Sequence, residues 1–369
     1  MIKVLNILTS LQRGGSEAVA VNYLNHIDSS KFRVDFLVLS SQRGQYYDDI
    51  LRRQGCNVYY ITSTKENLRK GKKEFEDFLA NYFYDIIHIH SMSSLKIQYV
   101  QLIKKNSPKT KIFYHSHTSG GSAVSKVFHK VFRPKLKKYC DILLACGITA
   151  GKYMYGKKAQ FHVLRNAIQA DKFLFDSHKR SELRKKHHCE KAFVIGHVGR
   201  IREEKNHVFL IKAFYELQKI RENVRLCLVW ADTANVDIFG LIKELNLEDK
   251  VISVHNAENA FEYYNMFDVL AMPSLYEGLS LCMVEAQFNG LDILSSDKVP
   301  SEVNYTGDIT FLPINKQDKL IWTEALRTRE IKDIRNKTLE KMNDAGYNIK
   351  TAVLDLEKFY IEAINSISK

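Results

Sequence analysis

Short apolar segments alternate with amphipathic segments along most of the chain. The apolar segments hold many β-branched residues, as buried strands do, whereas the segments between them repeat their apolar positions every three or four residues. In the first half, we predict strands at residues 2–8, 32–39, 58–61, 85–90, 111–115 and 142–145. Predicted helices lie between them at residues 17–27, 46–53, 75–83 and 95–105. This alternation indicates a mostly parallel, doubly wound α/β sheet.

The same alternation starts again after residues 166–190, where Asp, Lys, His and Ser predominate. The second set of predicted strands lies at residues 193–198, 225–230, 251–254, 269–272 and 292–295. Predicted helices follow at residues 207–220, 239–245, 259–266 and 280–288, and residues 319–369 are also helical in pattern. We therefore expect two Rossmann-like domains that face a central cleft, with ligands bound beyond the carboxyl ends of the strands.

Length and composition agree with two globular domains. A chain of 369 residues exceeds one ordinary hydrophobic core, and 45% hydrophobic with 26% charged residues is typical of a soluble protein. Residues 1–8 favour a first strand over a signal peptide, because Asn6 interrupts the apolar run and no small-residue cleavage site follows. We therefore expect a cytoplasmic protein. The six cysteines are scattered without metal-ligand spacing, and we assign them no chemistry.

Positive charge is concentrated in the first half of the chain. Residues 1–165 carry a net charge of +16 and residues 166–369 a net charge of −3, within a total of +13. The densest basic segment, residues 126–138, also contains aromatic residues. It is either a solvated helix face or a contact with an anionic membrane surface, where each basic residue contributes about 1 kcal/mol. Nucleic acid binding ranks last, because no binding module is visible.

A glycine pair, Gly14 and Gly15, follows the first predicted strand and precedes Ser16 and Glu17. Paired glycines allow the backbone to approach a ligand closely, and N–H groups at a helix N-terminus attract phosphate. The motif is not G-x-G-x-x-G, so the dinucleotide fingerprint is absent. A tight turn without a ligand is the alternative interpretation.

The second half repeats this arrangement with charged residues. Gly199 ends a predicted strand, and Arg200 and Lys205 stand in the loop that leads to the next helix. Arg offers a planar fork and Lys a point charge, so the two can meet a diphosphate and neutralise its charge as it departs. Taken alone, ordinary surface charge beside Glu203 and Glu204 explains the pattern as well.

Two glutamates lie eight positions apart across a predicted strand–loop–helix junction. Glu277, on the loop, can bind sugar hydroxyls, and Glu285, inside the next helix, can bind ribose hydroxyls. A glutamate on an otherwise apolar helix face is costly unless it has partners, which favours a binding role for Glu285. Backbone N–H groups at the start of this helix offer a phosphate site. These groups belong to Gly278, Leu279, Ser280 and Leu281.

Histidines end two successive predicted strands. His115 and His117 close the strand at residues 111–115, while His88 and His90 alternate with isoleucines in the strand before it. A histidine at that edge of the sheet can donate hydrogen bonds to a sugar. A satisfied structural histidine is the alternative, and it is our interpretation of His88.

With these motifs, the chain resembles glycosyltransferase family 4, the retaining enzymes of the GT-B fold, and within it the bacterial capsular and exopolysaccharide transferases. The resemblance spans nearly the whole chain. It is carried by residues 14–17, 114–118, 146–151, 163–168, 199–206 and 273–286. The last segment, an E-x7-E motif preceded by Pro-Ser, is highly specific at this distance from an Arg…Lys pair.

The resemblance implies roles for individual residues. Arg200 and Lys205 would hold the donor diphosphate, and Glu285 would bind the ribose. Glu277 and the backbone after it would hold the sugar and the distal phosphate, while His117 would contact the transferred sugar. We take His117 and Glu277 as the candidate catalytic residues.

The resemblance also implies an arrangement of domains. Residues 1–168 would bind the acceptor, residues 169–350 would bind the donor, and a helix at residues 351–369 would return to the first domain. Gly15, next to Gly14, would approach the phosphates from the first domain. The family uses no metal and no Asp-x-Asp motif, so we expect no cofactor. Secondary site candidates are His115, Ser16 and Asn256.

The expected activity is metal-independent, retaining transfer from a nucleotide diphosphate sugar, with a UDP-sugar as the expected donor. The acceptor would be lipid-linked or an oligosaccharide in cell-surface polysaccharide synthesis, at the inner membrane face. A sugar-nucleotide epimerase of the same architecture and a non-catalytic nucleotide-sugar binding subunit are the alternatives. Two departures from the family pattern are Trp230, where Gly-Asp-Gly is frequent, and Arg165, where Pro is usual.

Overall fold

The chain folds as two compact units. The computed structural model describes residues 1–120, 123–231, 236–257, 259–277, 279–331, 335 and 338–366. The first unit comprises Met1–Ile168 together with Asn348–Lys369, and the second unit comprises Gln169–Tyr347.

Each unit contains one sheet. The strands of the first unit are β1 (Ile2–Leu8), β2 (Phe32–Leu39), β3 (Val58–Ile61), β4 (Ile86–Ser91), β5 (Lys111–Ser116), β6 (Ile142–Ala145) and β7 (His162–Val163). The strands of the second unit are β8 (Phe193–Val198), β9 (Val224–Trp230), β10 (Val251–His255), β11 (Val269–Met272), β12 (Asp292–Ser296) and β13 (Ile309–Leu312). Over the described residues, the orders are β3-β2-β1-β4-β5-β6-β7 and β10-β9-β8-β11-β12-β13, and the paired strands run parallel.

Helices connect the strands. In the first half they are α1 (Gly15–Leu24), α2 (Asp48–Arg53), α3 (Leu68–Asn81), α4 (Ile97–Asn106), α5 (Ala123–Tyr139) and α6 (Ile148–Tyr155). They continue with α7 (Ser177–Lys186), α8 (His207–Leu217), α9 (Ile238–Glu244), α10 (Tyr263–Met266), α11 (Leu281–Phe288), α12 (Lys319–Arg327), α13 (Leu339–Asp344) and α14 (Ile349–Asn365). Within the ranges given above, none of these helices combines enough length with enough apolar character to cross a bilayer.

The predicted doubly wound α/β fold is confirmed. Strands β1, β2, β3, β6, β8 and β11 begin and end at the predicted residues, because apolar residues predominate in each of them. Strands β7 and β13 were not predicted. Both are the outermost strands of their sheets, where half-exposed and exposed positions interrupt the apolar pattern.

Helix α7 lies inside the segment that we interpreted as a polar junction. The Asp176 side chain accepts hydrogen bonds from the His178 and Lys179 N–H groups and so caps the helix. Arg180 and Arg184 lie on one face and each contacts the buried Asp268 carboxylate at 2.5 Å. From their residue type, these arginines would be expected to face solvent, but both are buried.

The predicted helix at residues 75–83 begins earlier, at Leu68, because the Asn67 side chain accepts a hydrogen bond from the Lys70 N–H group. Helices α5 and α6 follow β5 and β6 and were not assigned bounds from the sequence.

Helix α14 belongs to the first unit. The Ile349 N–H group donates to the Ile168 carbonyl at 3.0 Å, and the Asp28 N–H group donates to Glu357 Oε1 at 2.8 Å. The Tyr360 hydroxyl lies 2.7 Å from His88 Nδ1. The end of the chain therefore packs beside the histidines of β4.

Candidate active site

Two loops meet at the carboxyl edge of the second sheet. One loop follows β8 and the other follows β11, and these strands are neighbours in the sheet. The Leu275 N–H group donates to the Glu204 carbonyl at 2.8 Å, and the Asn206 side chain donates to the Pro273 carbonyl at 3.2 Å. Asn206 has a left-handed backbone (φ 57°), a conformation that Asn tolerates well, and it begins α8.

Lys205 and Glu277 form an ion pair between these loops. The Lys205 Nζ lies 2.5 Å from Glu277 Oε1, and the side chains are 17% and 12% exposed. The Ser274 hydroxyl donates to the same oxygen at 2.9 Å. Burial opposes the ammonium charge, but the Glu277 carboxylate outweighs this effect and raises the pKa of Lys205. Two residues predicted to bind the donor therefore lie together, both charged.

Glu285 lies on α11, close to this ion pair. The Tyr264 hydroxyl donates to Glu285 Oε2 at 2.6 Å. Burial raises the pKa of Glu285 to about 7, and the Tyr264 hydrogen bond and Lys205 oppose the shift. The partner that a buried glutamate needs is thus present, although Tyr264 and Ser274 were not singled out in the sequence.

The start of α11 offers the expected backbone donors. Ser280 occupies the N-cap position, and its buried hydroxyl has no hydrogen-bond partner among the described residues. Leu279 is buried and Leu281 is the first helical residue. Gly278, the fourth candidate in this loop, lies outside the described residues.

Arg200 and Asn256 are separate from the Lys205–Glu277 pair. Arg200 follows the end of β8, is half-buried, and makes no hydrogen bond or ion pair within the described chain. Asn256 follows β10 with a left-handed backbone (φ 49°) and its N–H group donates to the Trp230 carbonyl at 2.9 Å. The Trp230 ring stacks on His255 with ring centroids 4.1 Å apart.

In the first unit, the glycine turn packs around a carboxylate. Gly14 is the N-cap of α1, and Gly15 is its first residue. The buried Glu17 side chain accepts hydrogen bonds from the Ser10 hydroxyl at 2.5 Å and the Ser16 hydroxyl at 2.8 Å. A Cβ atom on Gly14 would lie 2.4 Å from Glu17 Oε2, whereas a Cβ atom on Gly15 meets nothing within 4 Å. A side chain at position 14 would therefore displace the Glu17 carboxylate, whereas position 15 has space for one.

Four histidine rings form a buried cluster beside this turn. Because β4 and β5 are parallel with His90 opposite His115, the rings of His88, His90, His115 and His117 come together. Burial lowers the pKa of His88 and of His117 to about 3. The pKa values of His90 and His115 also lie well below the usual value, chiefly through burial. The cluster is therefore neutral at pH 7.

Three of these histidines are the group in the described chain that most resembles a set of metal ligands. His88, His90 and His115 each place one nitrogen within 4.8 Å of the others. However, the His88 and His90 rings stack at 15° with centroids 4.3 Å apart. Lone pairs in the planes of stacked rings do not converge on one ion at the roughly 2.0–2.1 Å that zinc requires.

Lys96 is a further polar residue at this edge that the sequence did not indicate. Its Nζ donates to the His90 carbonyl at 2.7 Å. Burial lowers the pKa of Lys96 to about 7, and Glu17 opposes this shift.

Residues 179–318, which contain Arg200, Lys205, Glu277 and Glu285, match the family model described as glycosyl transferases group 1. This segment is similar to the group 1 glycosyl transferases. Other proteins are similar to the chain along most of its length, beyond this segment. EpsF of Bacillus subtilis, provisionally named a glycosyltransferase, is 28% identical over 88% of this chain and 86% of its own.

A second relative and a solved structure extend this finding. CapH of Staphylococcus aureus, named a capsular polysaccharide biosynthesis glycosyltransferase, is 24% identical over 84% of this chain and 86% of its own. The crystal structure of Anabaena HepE with UDP matches with a TM-score of 0.79 at 15% identity, covering 98% of this chain and 100% of that one. The predicted GT-B fold and the resemblance to bacterial polysaccharide transferases are thereby confirmed, and the chain is a glycosyltransferase.

Proposed function

We propose that the glycosyltransferase moves a sugar from a UDP-sugar to a lipid-linked or oligosaccharide acceptor, with retained configuration and without a metal. The pathway would be the synthesis of a cell-surface polysaccharide, a proposal supported by the similarity to CapH, a glycosyltransferase of capsular polysaccharide biosynthesis. The observation that carries the proposal is the cluster of Lys205, Glu277 and Glu285 at the start of α11.

Each of these groups suits one part of a nucleotide diphosphate sugar. Lys205 supplies a half-buried positive charge for the diphosphate, and the half-buried Arg200 makes no hydrogen bond or ion pair with the described residues. Glu285 supplies carboxylate oxygens for the ribose hydroxyls. Backbone N–H groups before α11 suit the distal phosphate. Lysine and arginine charges stabilise the departing diphosphate, which is the role a metal ion would otherwise fill.

Thermal unfolding with nucleotides tests this assignment. UDP, GDP, UDP-sugars and NAD are added with and without EDTA, because a ligand at about 100 times its dissociation constant adds roughly 2.7 kcal/mol of stability. We expect a shift with UDP that survives EDTA and is lost in Glu285→Ala and Lys205→Ala. A shift that needs metal, or none with any nucleotide, would contradict the proposal.

Turnover with and without an acceptor separates the proposal from its alternatives. A transferase releases UDP with acceptor and forms a glycosidic product of the same anomeric configuration as the donor. An epimerase converts the donor without any acceptor, and a binding subunit does neither.

We also propose that helix α5 contacts an anionic membrane surface. Its exposed side chains include Val127 (62% exposed), Val131 (58%) and Phe128 (39%). Exposed lysines flank them, whereas His129 and Leu136 are buried on the opposite face. The lysines are Lys126, Lys130, Lys135, Lys137 and Lys138. Apolar side chains rimmed by lysines suit the interface of an anionic bilayer.

Vesicle sedimentation tests this contact. We expect binding to vesicles with phosphatidylglycerol, weaker binding at high salt, and little binding to pure phosphatidylcholine. Lys130→Glu with Lys135→Glu should reduce binding strongly. Lys72→Glu with Lys73→Glu, the same change of charge on the exposed face of α3, is the matched control. Equal loss in both pairs would show a non-specific effect of net charge.

A further inference from the structure

Glu285 uses only one of its two carboxylate oxygens within the described chain. The Tyr264 hydroxyl, on α10, donates to Glu285 Oε2 at 2.6 Å, and no described residue donates a hydrogen bond to Oε1. An ionised carboxylate offers about four acceptor positions, so the Tyr264 hydrogen bond fills one of them and leaves Oε1 available. A hydrogen bond from a hydroxyl to a carboxylate is short and strong, so it holds the carboxylate in one orientation.

The backbone around Tyr264 is held in place by two arginines. Arg335 donates to the Tyr264 carbonyl at 2.9 Å and to the Asn265 carbonyl at 3.2 Å. Arg180 donates to the same Asn265 carbonyl at 3.1 Å and forms its ion pair with the buried Asp268. These contacts come from parts of the chain on both sides of α10. The short helix that carries Tyr264 therefore has a fixed position in the second unit.

A buried pair of asparagines also joins α10 to the end of α11. The Asn289 side chain, at the C-cap of α11, donates to Asn265 Oδ1 at 3.0 Å and to the Phe173 carbonyl at 2.8 Å. Asn265 directly follows Tyr264, and Asn289 lies four residues, or about one helical turn, after Glu285. The two helices are therefore connected twice, and the distance between the Tyr264 hydroxyl and the Glu285 carboxylate is set without a ligand.

We propose that Tyr264 is a positioning residue that directs Glu285 Oε1 towards the ribose of the nucleotide, and that it thereby makes the site selective for ribonucleotides over 2′-deoxyribonucleotides. The proposal rests on the proposed function, because the ribose contact of Glu285 does. Ordering a flexible glutamate side chain costs conformational entropy. Because the Tyr264 hydrogen bond already orders this side chain, the bond from a ribose hydroxyl contributes its full strength to binding.

A ¹³C NMR titration of the Glu285 carboxyl group tests the hydrogen bond without any ligand. The full chain is labelled at the glutamate side-chain carboxyl carbon, and the signal that is absent from Glu285→Gln assigns the residue. Burial raises the pKa of Glu285 to about 7, while the Tyr264 hydrogen bond and the Lys205 charge lower it. The Cys282 thiol, which also faces Glu285, is neutral in this range, because burial raises its pKa to about 12. Tyr264→Phe should therefore raise the pKa of Glu285 above that of the unchanged protein.

Tyr263→Phe is the matched control, because it removes the hydroxyl of the neighbouring buried tyrosine on the same helix. The Tyr263 hydroxyl lies 3.5 Å from His187 Nε2 and makes no hydrogen bond to Glu285. Tyr263→Phe should therefore leave the titration of Glu285 unchanged. In Tyr264→Phe, phenylalanine keeps the ring that packs against Phe173 and Phe267. Equal pKa values of Glu285 in the two variants would overturn the proposal.

Calorimetric titration with UDP and 2′-deoxy-UDP then tests the selectivity. The unchanged protein should bind UDP about tenfold to a hundredfold more tightly, the effect of one hydrogen bond to a charged group. Tyr264→Phe should reduce this preference to less than about fivefold, chiefly by weakening the binding of UDP, whereas Tyr263→Phe should keep it. The preference is a ratio measured within one variant, so a smaller folded fraction does not alter it.

The outcomes separate this proposal from the proposed function. Equal affinities of the unchanged protein for the two nucleotides would overturn the ribose contact. Equal weakening of both nucleotides in Tyr264→Phe would show a structural role for the hydroxyl and would overturn its role in positioning Glu285. Failure of both nucleotides to bind the unchanged protein would contradict the proposed function and the ribose contact together.

Discussion

Two regions of the chain, the loops after β8 and β11 and the carboxyl halves of β4 and β5, hold different kinds of polar group. The second unit pairs opposite charges, as Lys205 with Glu277 and Arg180 with Asp268. The first unit gathers neutral histidine rings and leaves several of their nitrogens without partners in the described chain. Charge suits a diphosphate, which is anionic in every state, whereas neutral rings suit hydroxyl groups. The charged groups and the neutral rings therefore suit ligand groups of different chemistry.

The contrast also predicts which substitutions should change the stability of the protein most. Removing one member of a buried ion pair leaves an uncompensated charge, which is among the largest single effects on stability. Removing one neutral ring from the cluster loses packing and at most two neutral hydrogen bonds. Substitutions in the two units should therefore differ in size as well as in the property that they change.

The largest effect is expected for Asp268→Ala. Its carboxylate contacts Arg180 and Arg184 at 2.5 Å each and has no exposed surface. Its removal takes the carboxylate away from two buried guanidinium groups, so we expect a loss of about 3–5 kcal/mol in the free energy of unfolding, measured by urea denaturation. Asp297→Ala, which removes the half-exposed partner of Lys298, should cost less than about 0.5 kcal/mol. Similar losses in the two variants would show that the buried arginines do not need their carboxylate.

A site residue can be predicted from the sequence when it stands in a recognisable motif. It cannot be predicted when its role depends on partners from distant parts of the chain. Lys205, Glu277 and Glu285 stand in a specific spaced pattern, and the structure brings them together. Tyr264 has no such pattern, because its partners come from distant parts of the chain.

The elements show the same limit. Short strands made wholly of apolar residues, such as β6 and β11, were predicted with the observed bounds, since an apolar run of that length favours a strand. Helix α7 was not predicted, because its arginines made the segment look like a solvent-exposed junction. Arg180 and Arg184 are in fact buried. Only the tertiary position of Asp268 makes their burial favourable.

Lys205→Met should have the next largest effect, on binding rather than on folding. A charged hydrogen bond contributes roughly 1.5–3 kcal/mol, so we expect the affinity for UDP to fall by about tenfold to a hundredfold in calorimetric titration. Lys212→Met, on an exposed position of α8, is the control and should bind UDP normally. An unchanged affinity in Lys205→Met would mean that the ion pair with Glu277 is structural.

The raised pKa of Glu285 predicts that the affinity for a UDP-sugar depends on pH. The carboxylate must be ionised to accept hydrogen bonds from both ribose hydroxyls, and its pKa is about 7. The affinity for a UDP-sugar, whose phosphates do not titrate near neutrality, should therefore fall by up to about tenfold per pH unit below 7. Glu285→Gln should bind more weakly above pH 7 and lose this dependence.

The free energy of unfolding should change with pH in the opposite direction to the affinity, falling as the pH rises. Because burial raises the pKa of Glu285 to about 7, above the usual value of a glutamate, folding favours the protonated group, and this contribution to stability is fully present at pH values below that usual value. The stability contribution is then lost as the pH rises through about 7. Relative to Glu285→Gln, the unchanged protein should thus lose stability between pH 5 and pH 8 in denaturant titrations. A constant difference would show that Glu285 keeps an ordinary pKa.

The smallest effect concerns the carboxylate in the glycine turn of the first unit. In Gly14→Ala, the new Cβ would lie 2.4 Å from Glu17 Oε2, so the carboxylate must move away from the hydroxyls of Ser10 and Ser16. Losing these hydrogen bonds should cost about 1 kcal/mol in the free energy of unfolding. Gly15→Ala is the matched control, because its Cβ meets nothing within 4 Å and alanine favours the helix that begins there. Equal stabilities of the two variants would mean that Glu17 is not held in place, and that the first unit tolerates a mobile charge beside its neutral histidines.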